Sequence, residues 1–103
     1  MSMENERRRF HRYPLQLPIT LEREGARLDA QVVNASEGGC LLLVRVPLAP
    51  GEVLEVSIPL LGVSRSKLHV LRCQAVAPDE YSVATRFDAP AVDDATLARF
   101  SRQ

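Results

Sequence analysis

Short alternating segments, each bounded by turn residues, limit the possible folds of this chain more than any other feature. Every second residue is apolar from Leu15 to Glu22, and the segment from Leu54 to Leu60 alternates in the same way. Such alternation is typical of strands with one buried face. The strongest turn signal is Pro50-Gly51. We predict strands over residues 15–22, 26–33, 40–46, 54–60, 67–77 and 81–87, with a loop over 62–66 and a hairpin across 78–80.

These strands are expected to close into an antiparallel barrel, because a chain of 103 residues has little else with which to cover two open sheet edges. The C-terminal segment follows a different pattern. Asp93 and Asp94 precede Arg99, and Leu97 and Phe100 lie three residues apart, which predicts a short helix packed on the barrel. We therefore divide the chain into an N-terminal tail (1–13), an all-β barrel (14–90) and a C-terminal helical segment (91–103).

Composition excludes several classes of function. The 13 basic and 13 acidic residues cancel, and aromatic residues make up only 5% of the chain, so we expect no nucleic-acid partner. No apolar run is long enough to span a bilayer, and no apolar leader segment is present; we expect no membrane insertion and a cytoplasmic location. Cys40 and Cys73 lie in apolar runs without a metal-binding spacing, so we expect buried free thiols, no metal and no cofactor.

Candidate binding residues are concentrated in two places, of which the first is the N-terminal tail. Four arginines fall within six positions there: Arg7, Arg8, Arg9 and Arg12. Planar guanidinium groups fit phosphates and the O6/N7 edge of guanine. Taken alone, the tail is equally consistent with an ordinary solvated terminus.

The second place is the turn from Asn34 to Gly39, which contains Asn34, Ser36 and two glycines. The amide can pair with a base edge, the hydroxyl can bind a phosphate or a base, and glycine lets a ligand approach the backbone. An ordinary Asx or Ser/Thr turn would use the same residues. The two motifs together are more specific than either alone.

The order and spacing of these motifs resemble the signature of the PilZ domain family, bacterial receptors for cyclic di-GMP. That signature is an R-x-x-x-R pair followed by a [DN]-x-S-x-x-G turn, matched here by Arg8 to Arg12 and by Asn34 to Gly39. Pro50-Gly51-Glu52 and the strand Tyr81–Phe87 are also similar, so the resemblance runs from about Glu6 to Asp88. It implies an all-β, six-stranded antiparallel PilZ-type barrel, followed here by the short C-terminal helix.

The resemblance also implies roles for particular residues. Arg8 and Arg12 would grip guanine edges and phosphates, Asn34 and Ser36 would bind a guanine or a phosphate, and Gly39 would leave room for the ligand. Ligand binding would order the tail and alter the surface offered to a separate effector protein. The usual outputs of the family are motility, exopolysaccharide production and virulence.

The number of bound ligands is left open by features that point in opposite directions. Arg7, just before the motif, favours two stacked cyclic di-GMP molecules, with Arg9 as a further phosphate contact. Ala84 stands where the family often has glycine, and the chain has no tryptophan to stack on a second base. Asn34 replaces the commoner aspartate, which removes a carboxylate that would accept hydrogen bonds from guanine.

Other functions are weaker interpretations of the same residues. The main alternative is a PilZ-like interaction module that does not bind nucleotide. A hydrolase built on Ser36 would need a histidine base, and neither His11 nor His69 has an acid at a motif spacing; we expect no enzyme activity and structural roles for both histidines. Arg72 and Arg86 lie on predicted strands and could reach a ligand on the outer face, but solvated surface positions are the commoner fate of such residues.

Overall fold

The computed structural model describes residues 11–89 and 91–101. Its strands are β1 (Tyr13–Arg23), β2 (Ala26–Ala35), β3 (Cys40–Val44), β4 (Val53–Ile58), β5 (Val63–Ala77) and β6 (Glu80–Phe87). A 3-10 helix (Pro59–Leu61) joins β4 to β5, and the helix α1 (Asp94–Phe100) ends the described part. The strands pair in the order β1-β2-β3-β6-β5-β4 around a closed barrel, and every pairing is antiparallel. The predicted six-stranded barrel with a short C-terminal helix is confirmed.

The alternating residues of the sequence form the inside of the barrel. In β1, Leu15, Ile19 and Leu21 are buried, while Gln16 and Pro18 between them are exposed. β4 and β6 alternate in the same way, as expected for strands that each give one face to the core and one to solvent. The largest fully buried side chains include Leu21, Leu42, Leu54, Ile58, Leu68 and Leu97.

The prediction of a loop over residues 62–66 is wrong. Val63 already pairs with Ile58, and Ser66 pairs with Val56, so β5 begins four residues earlier than expected. A register shift in this pairing accommodates Arg65, whose φ is 52° and whose N–H donates to Ser57 Oγ at 3.2 Å. The alternation of β4 ends at Ile58 instead of Leu60, because Pro59 begins the 3-10 helix.

Helix α1 has a capped N-terminus and packs on the barrel through one fully buried side chain. The Asp93 carboxylate accepts a hydrogen bond from the Thr96 N–H at 2.9 Å, which satisfies one of the free donors at the helix N-terminus. This bond is the main reason that the pKa of Asp93 is lowered. Leu97 is completely buried in the core. No helix in the described ranges is long and apolar enough to cross a membrane.

Both cysteines are free thiols. Cys40 is buried, as predicted, whereas Cys73 is only partly buried. The pairing of β4 with β5 ends at His69, so that at Cys73 the strand β5 is paired with β6 alone.

Candidate functional site

The structure joins the two sequence motifs through one hydrogen bond. Arg12 Nη1 donates to Asn34 Oδ1 at 2.7 Å, although the residues are 22 apart in the chain. Arg12 lies just before β1 and Asn34 lies near the end of β2, where Pro14 pairs with Asn34. Antiparallel pairing of β1 with β2 therefore brings the arginine motif beside the asparagine motif.

A bulge in β2 directs Asn34 to the outside of the barrel. Val32 pairs with Leu42, and Asn34 pairs with Leu41, so Val33 is an extra residue in β2. Val32 and Ala35 are both buried, and the two residues between them are partly exposed. In a regular strand without the bulge, Asn34 would share the face of Val32, two residues earlier, and would turn toward the core.

Ser36 builds the turn that follows β2. Its hydroxyl accepts a hydrogen bond from the Gly38 N–H at 3.2 Å and lies 3.4 Å from the carbonyl oxygen of Gly39. The Ser36 N–H also donates to that carbonyl at 2.8 Å. Ser36 is only 4% exposed, so much of the capacity of its side chain is used to shape the turn.

The turn is packed directly against β6. The Phe87 N–H donates to the Gly38 carbonyl at 2.8 Å. A Cβ atom on Gly39 would lie 2.1 Å from the Thr85 carbonyl oxygen, so no larger residue fits unless the backbone shifts. The resemblance assigns Gly39 to ligand clearance; the structure adds that the barrel wall itself requires glycine there.

An open cleft of about 390 Å³ runs beside this turn on the outer wall of the barrel. This volume lies in the range of roughly 300–1,000 Å³ that is common for small-molecule sites. Its lining includes Arg12, Ser36 and Gly39 from the predicted site, together with Leu71, Arg86 and Asp88, which belong to neither motif. Asn34 does not line the cleft itself, but it is hydrogen-bonded to Arg12, which does. The predicted residues Arg7, Arg8 and Arg9 lie outside the described residues.

His69 has an acidic partner that the sequence did not indicate. Its Nε2 lies 2.8 Å from Asp88 Oδ1, and Asp88 lines the cleft. The residues are 19 apart and meet only because His69 pairs with Arg86 near the end of β6. Between residues 11 and 101, no hydrogen bond to Ser36 from either histidine is found, and the Ser36 hydroxyl is bonded within its own turn.

Cys40 follows the turn directly, and burial determines the pKa of its thiol. Removal from water raises the pKa of Cys40 to about 11, although the hydrogen bond with Thr85 and the positive charge of Arg12 act in the opposite direction. Thr85 Oγ1 donates to the Cys40 carbonyl at 2.7 Å, which satisfies the buried hydroxyl. In the described part of the chain, no group of histidine, cysteine and acidic residues is arranged to hold a metal.

The fold and the cleft together define a small closed β-barrel that presents arginines, an amide and a glycine turn on its outer wall. The PilZ domain family model matches residues 6–103, and the chain belongs to this family.

One solved structure with the same fold is the PilZ domain with c-di-GMP of YcgR from Escherichia coli. The two are 18% identical, the TM-score is 0.59, and the match covers 91% of this chain and 86% of that one. At this identity the likeness concerns the fold. No curated protein matches the chain.

Proposed function

We propose that this protein is a receptor for cyclic di-GMP, which it binds through the arginine pair Arg8 and Arg12 and through Asn34 and Ser36. The observation that carries the proposal is the hydrogen bond between Arg12 and Asn34 at the mouth of a cleft, in a chain of the PilZ family. In the proposed complex this contact opens, and both side chains turn to the ligand. Arg9 supplies a further phosphate contact, and Arg7 accompanies the binding of a second, stacked ligand molecule.

The chemistry of the cleft suits a cyclic dinucleotide. Guanidinium groups pair with phosphates and with the O6/N7 edge of guanine, and the Asn34 amide offers both donors and an acceptor to a base edge. Charge-assisted hydrogen bonds contribute about 1.5 to 3 kcal/mol each, and micromolar affinity requires roughly 8 kcal/mol. Two arginines, Asn34, Ser36 and base stacking are the contributions that have to supply this free energy, net of the cost of ordering the tail.

Ordering of the tail is the proposed signal. Residues 6–12 fold onto the barrel around the ligand, next to the start of β1, and change the surface that meets an effector protein. Hydrogen exchange measured by mass spectrometry tests this step. Saturating ligand is expected to slow exchange in residues 6–12 more than in β4, and equal exchange with and without ligand would contradict it.

Isothermal titration calorimetry with cyclic di-GMP tests binding itself. The wild type is expected to bind with micromolar or tighter affinity, and Arg8→Ala and Arg12→Ala are each expected to abolish measurable heat. Arg27→Ala is the matched control, because Arg27 is exposed on β2 and lines a separate groove with Glu22 and Glu55.

The titration also gives the stoichiometry, for which we propose two stacked ligand molecules per chain. A ratio of one would assign Arg7 another role. No heat from folded wild-type protein would favour an interaction module that does not bind nucleotide.

A further inference from the structure

Two side chains outside both motifs line the same cleft as Arg12. Arg86 lies on β6 and Leu71 lies on β5, and both line the same cleft as Ser36 and Gly39. We propose that Arg86 binds a phosphate of the dinucleotide and that Leu71 packs against one of its purine rings. This inference rests on the proposed function and adds two residues to its site.

Arg86 is fixed next to the binding turn by the backbone. A Cβ atom on Gly39 would lie 2.9 Å from the Cα atom of Arg86, and the following residue, Phe87, donates its N–H to the Gly38 carbonyl at 2.8 Å. The side chain of Arg86 is exposed. Its base therefore cannot move away from the turn, while its guanidinium group is free to reach over the cleft.

The charge of Arg86 is available to an anion. Within the described ranges, the side chain makes no ion pair and no hydrogen bond. Asp88, the carboxylate that lines the same cleft, is bonded to His69 instead. An arginine without an acidic partner beside a glycine turn suits a phosphate, which accepts hydrogen bonds from both arms of the guanidinium group.

Leu71 supplies a large exposed apolar side chain to the wall. Of the large exposed hydrophobic side chains between residues 11 and 101, which are Val53, Leu60, Leu71 and Val76, only Leu71 lines this cleft. It is 52% exposed. Covering it with a purine ring removes apolar surface from water, at about 25 cal/mol for each Å² buried.

A bulge in β5 explains why Leu71 and the next residue, Arg72, both lie on the outside of the barrel. Val70 pairs with Thr85 and Arg72 pairs with Ala84, so Leu71 is an extra residue. Val70 is buried, Leu71 and Arg72 are both exposed, and Cys73 is again partly buried. Arg72 does not line the cleft, which makes it a matched control for Arg86.

The test is calorimetry with cyclic di-GMP on Arg86→Gln, Arg86→Lys and Leu71→Ala. Loss of one charge-assisted phosphate contact is expected to weaken binding about tenfold in Arg86→Gln, and loss of the apolar contact about fivefold in Leu71→Ala. Arg86→Lys should bind more weakly than the wild type and more tightly than Arg86→Gln, because an ammonium group keeps the charge but loses the two-armed contact. The controls Arg72→Gln and Val76→Ala should bind like the wild type.

Each outcome separates this inference from the proposed function. If Arg12→Ala abolishes binding while Arg86→Gln and Leu71→Ala bind like the wild type, the inference fails and the receptor function stands. If Arg86→Lys is as weak as Arg86→Gln, the phosphate assignment is wrong. If the folded wild type binds no ligand, both proposals fall. Thermal melting of each variant, expected to match the wild type because both side chains are exposed, excludes unfolding as the cause.

Discussion

Glu37 Oε2 accepts a hydrogen bond from the backbone N–H of Asp94 at 2.9 Å. Glu37 lies inside the turn that carries Ser36 and Gly39, and Asp94 is the first residue of α1. The carboxylates of Asp94 and Glu37 also contribute to raising the pKa of Tyr13, at the start of β1, after the larger effect of burial. The turn that carries Ser36 and Gly39 is therefore linked to the C-terminal helix by a hydrogen bond.

We expect Glu37→Ala to loosen α1. The variant leaves one N–H at the helix start without an acceptor, and loss of such a cap lowers the free energy of unfolding by about 0.5–1 kcal/mol. Hydrogen exchange should quicken in residues 94–100 and stay unchanged in β4. Glu22→Ala, which removes an exposed carboxylate from β1, is the control. Equal exchange of α1 in both variants would show that the contact does not hold the helix.

We expect Gly39→Ala to be strongly destabilising even without ligand. The added methyl group would meet the Thr85 carbonyl oxygen, which is main chain and cannot rotate away. The loss in free energy of unfolding should be about 2–4 kcal/mol, measured by urea denaturation.

Gly25→Ala provides the comparison. Gly25 has a φ of 83° and open space around its Cβ position, so this variant should lose only about 1 kcal/mol through backbone strain. A Gly39→Ala protein as stable as Gly25→Ala would contradict the predicted clash. Loss of ligand binding in Gly39→Ala would not show that the ligand contacts Gly39, because the substitution also displaces the backbone of β6 at Thr85.

The parts of the fold that follow from alternation could be predicted from the sequence. Leu15, Ile19 and Leu21 show their buried face by spacing alone. The start of β5 could not be predicted, because polar Ser64 and Ser66 carry no strand signal of their own. They become a strand because β4 supplies backbone partners.

The candidate site, too, could be predicted from the sequence only in part. Arg12 and Asn34 were found from their motifs, and the pairing of β1 with β2 brings them together. Leu71 was not found, and Arg86 could not be told apart from Arg72 as a strand arginine able to reach an outer ligand, because their presence in the cleft depends on the bulge in β5 and on the packing of β6 against Gly39. The pair formed by His69 and Asp88 was missed for a similar reason, since only the end of the barrel brings the two together.

The two thiols should react at different rates. Cys40 is 1% exposed, and burial raises its pKa to about 11, so it is both shielded and protonated near neutral pH. Cys73 is partly exposed, with the Leu48 N–H 3.5 Å from its sulfur. With a thiol reagent at about pH 8, we expect one fast equivalent in the native protein and a second only after denaturation. Cys73→Ser should remove the fast phase, and fast labelling of that variant would show that Cys40 is accessible.

The contact between Arg23 and Glu52 should make stability depend on pH. Glu52 accepts from the Ala49 N–H at 3.0 Å and from Arg23 Nε at 2.5 Å, and these bonds lower its pKa in that order of importance. A carboxyl group with a lower pKa in the folded state holds fewer protons there than in the unfolded state. Its stabilising effect is therefore complete above the unfolded pKa of about 4.3 and is lost as the pH falls through the folded value.

The variant that tests this dependence is Glu52→Gln, which keeps an acceptor for the Ala49 N–H and removes only the charge that faces Arg23. At neutral pH it should be less stable than the wild type, by less than about 1 kcal/mol because the pair is partly exposed to solvent. The difference should shrink as the pH drops below about 4, where the wild-type carboxyl group also becomes neutral.

Glu80→Gln removes a carboxylate that forms no ion pair with the described residues, so its stability relative to the wild type should change less with pH. Urea denaturation at several pH values measures both differences, and a constant gap between Glu52→Gln and the wild type would mean that the ion pair does not stabilise the barrel through its charge.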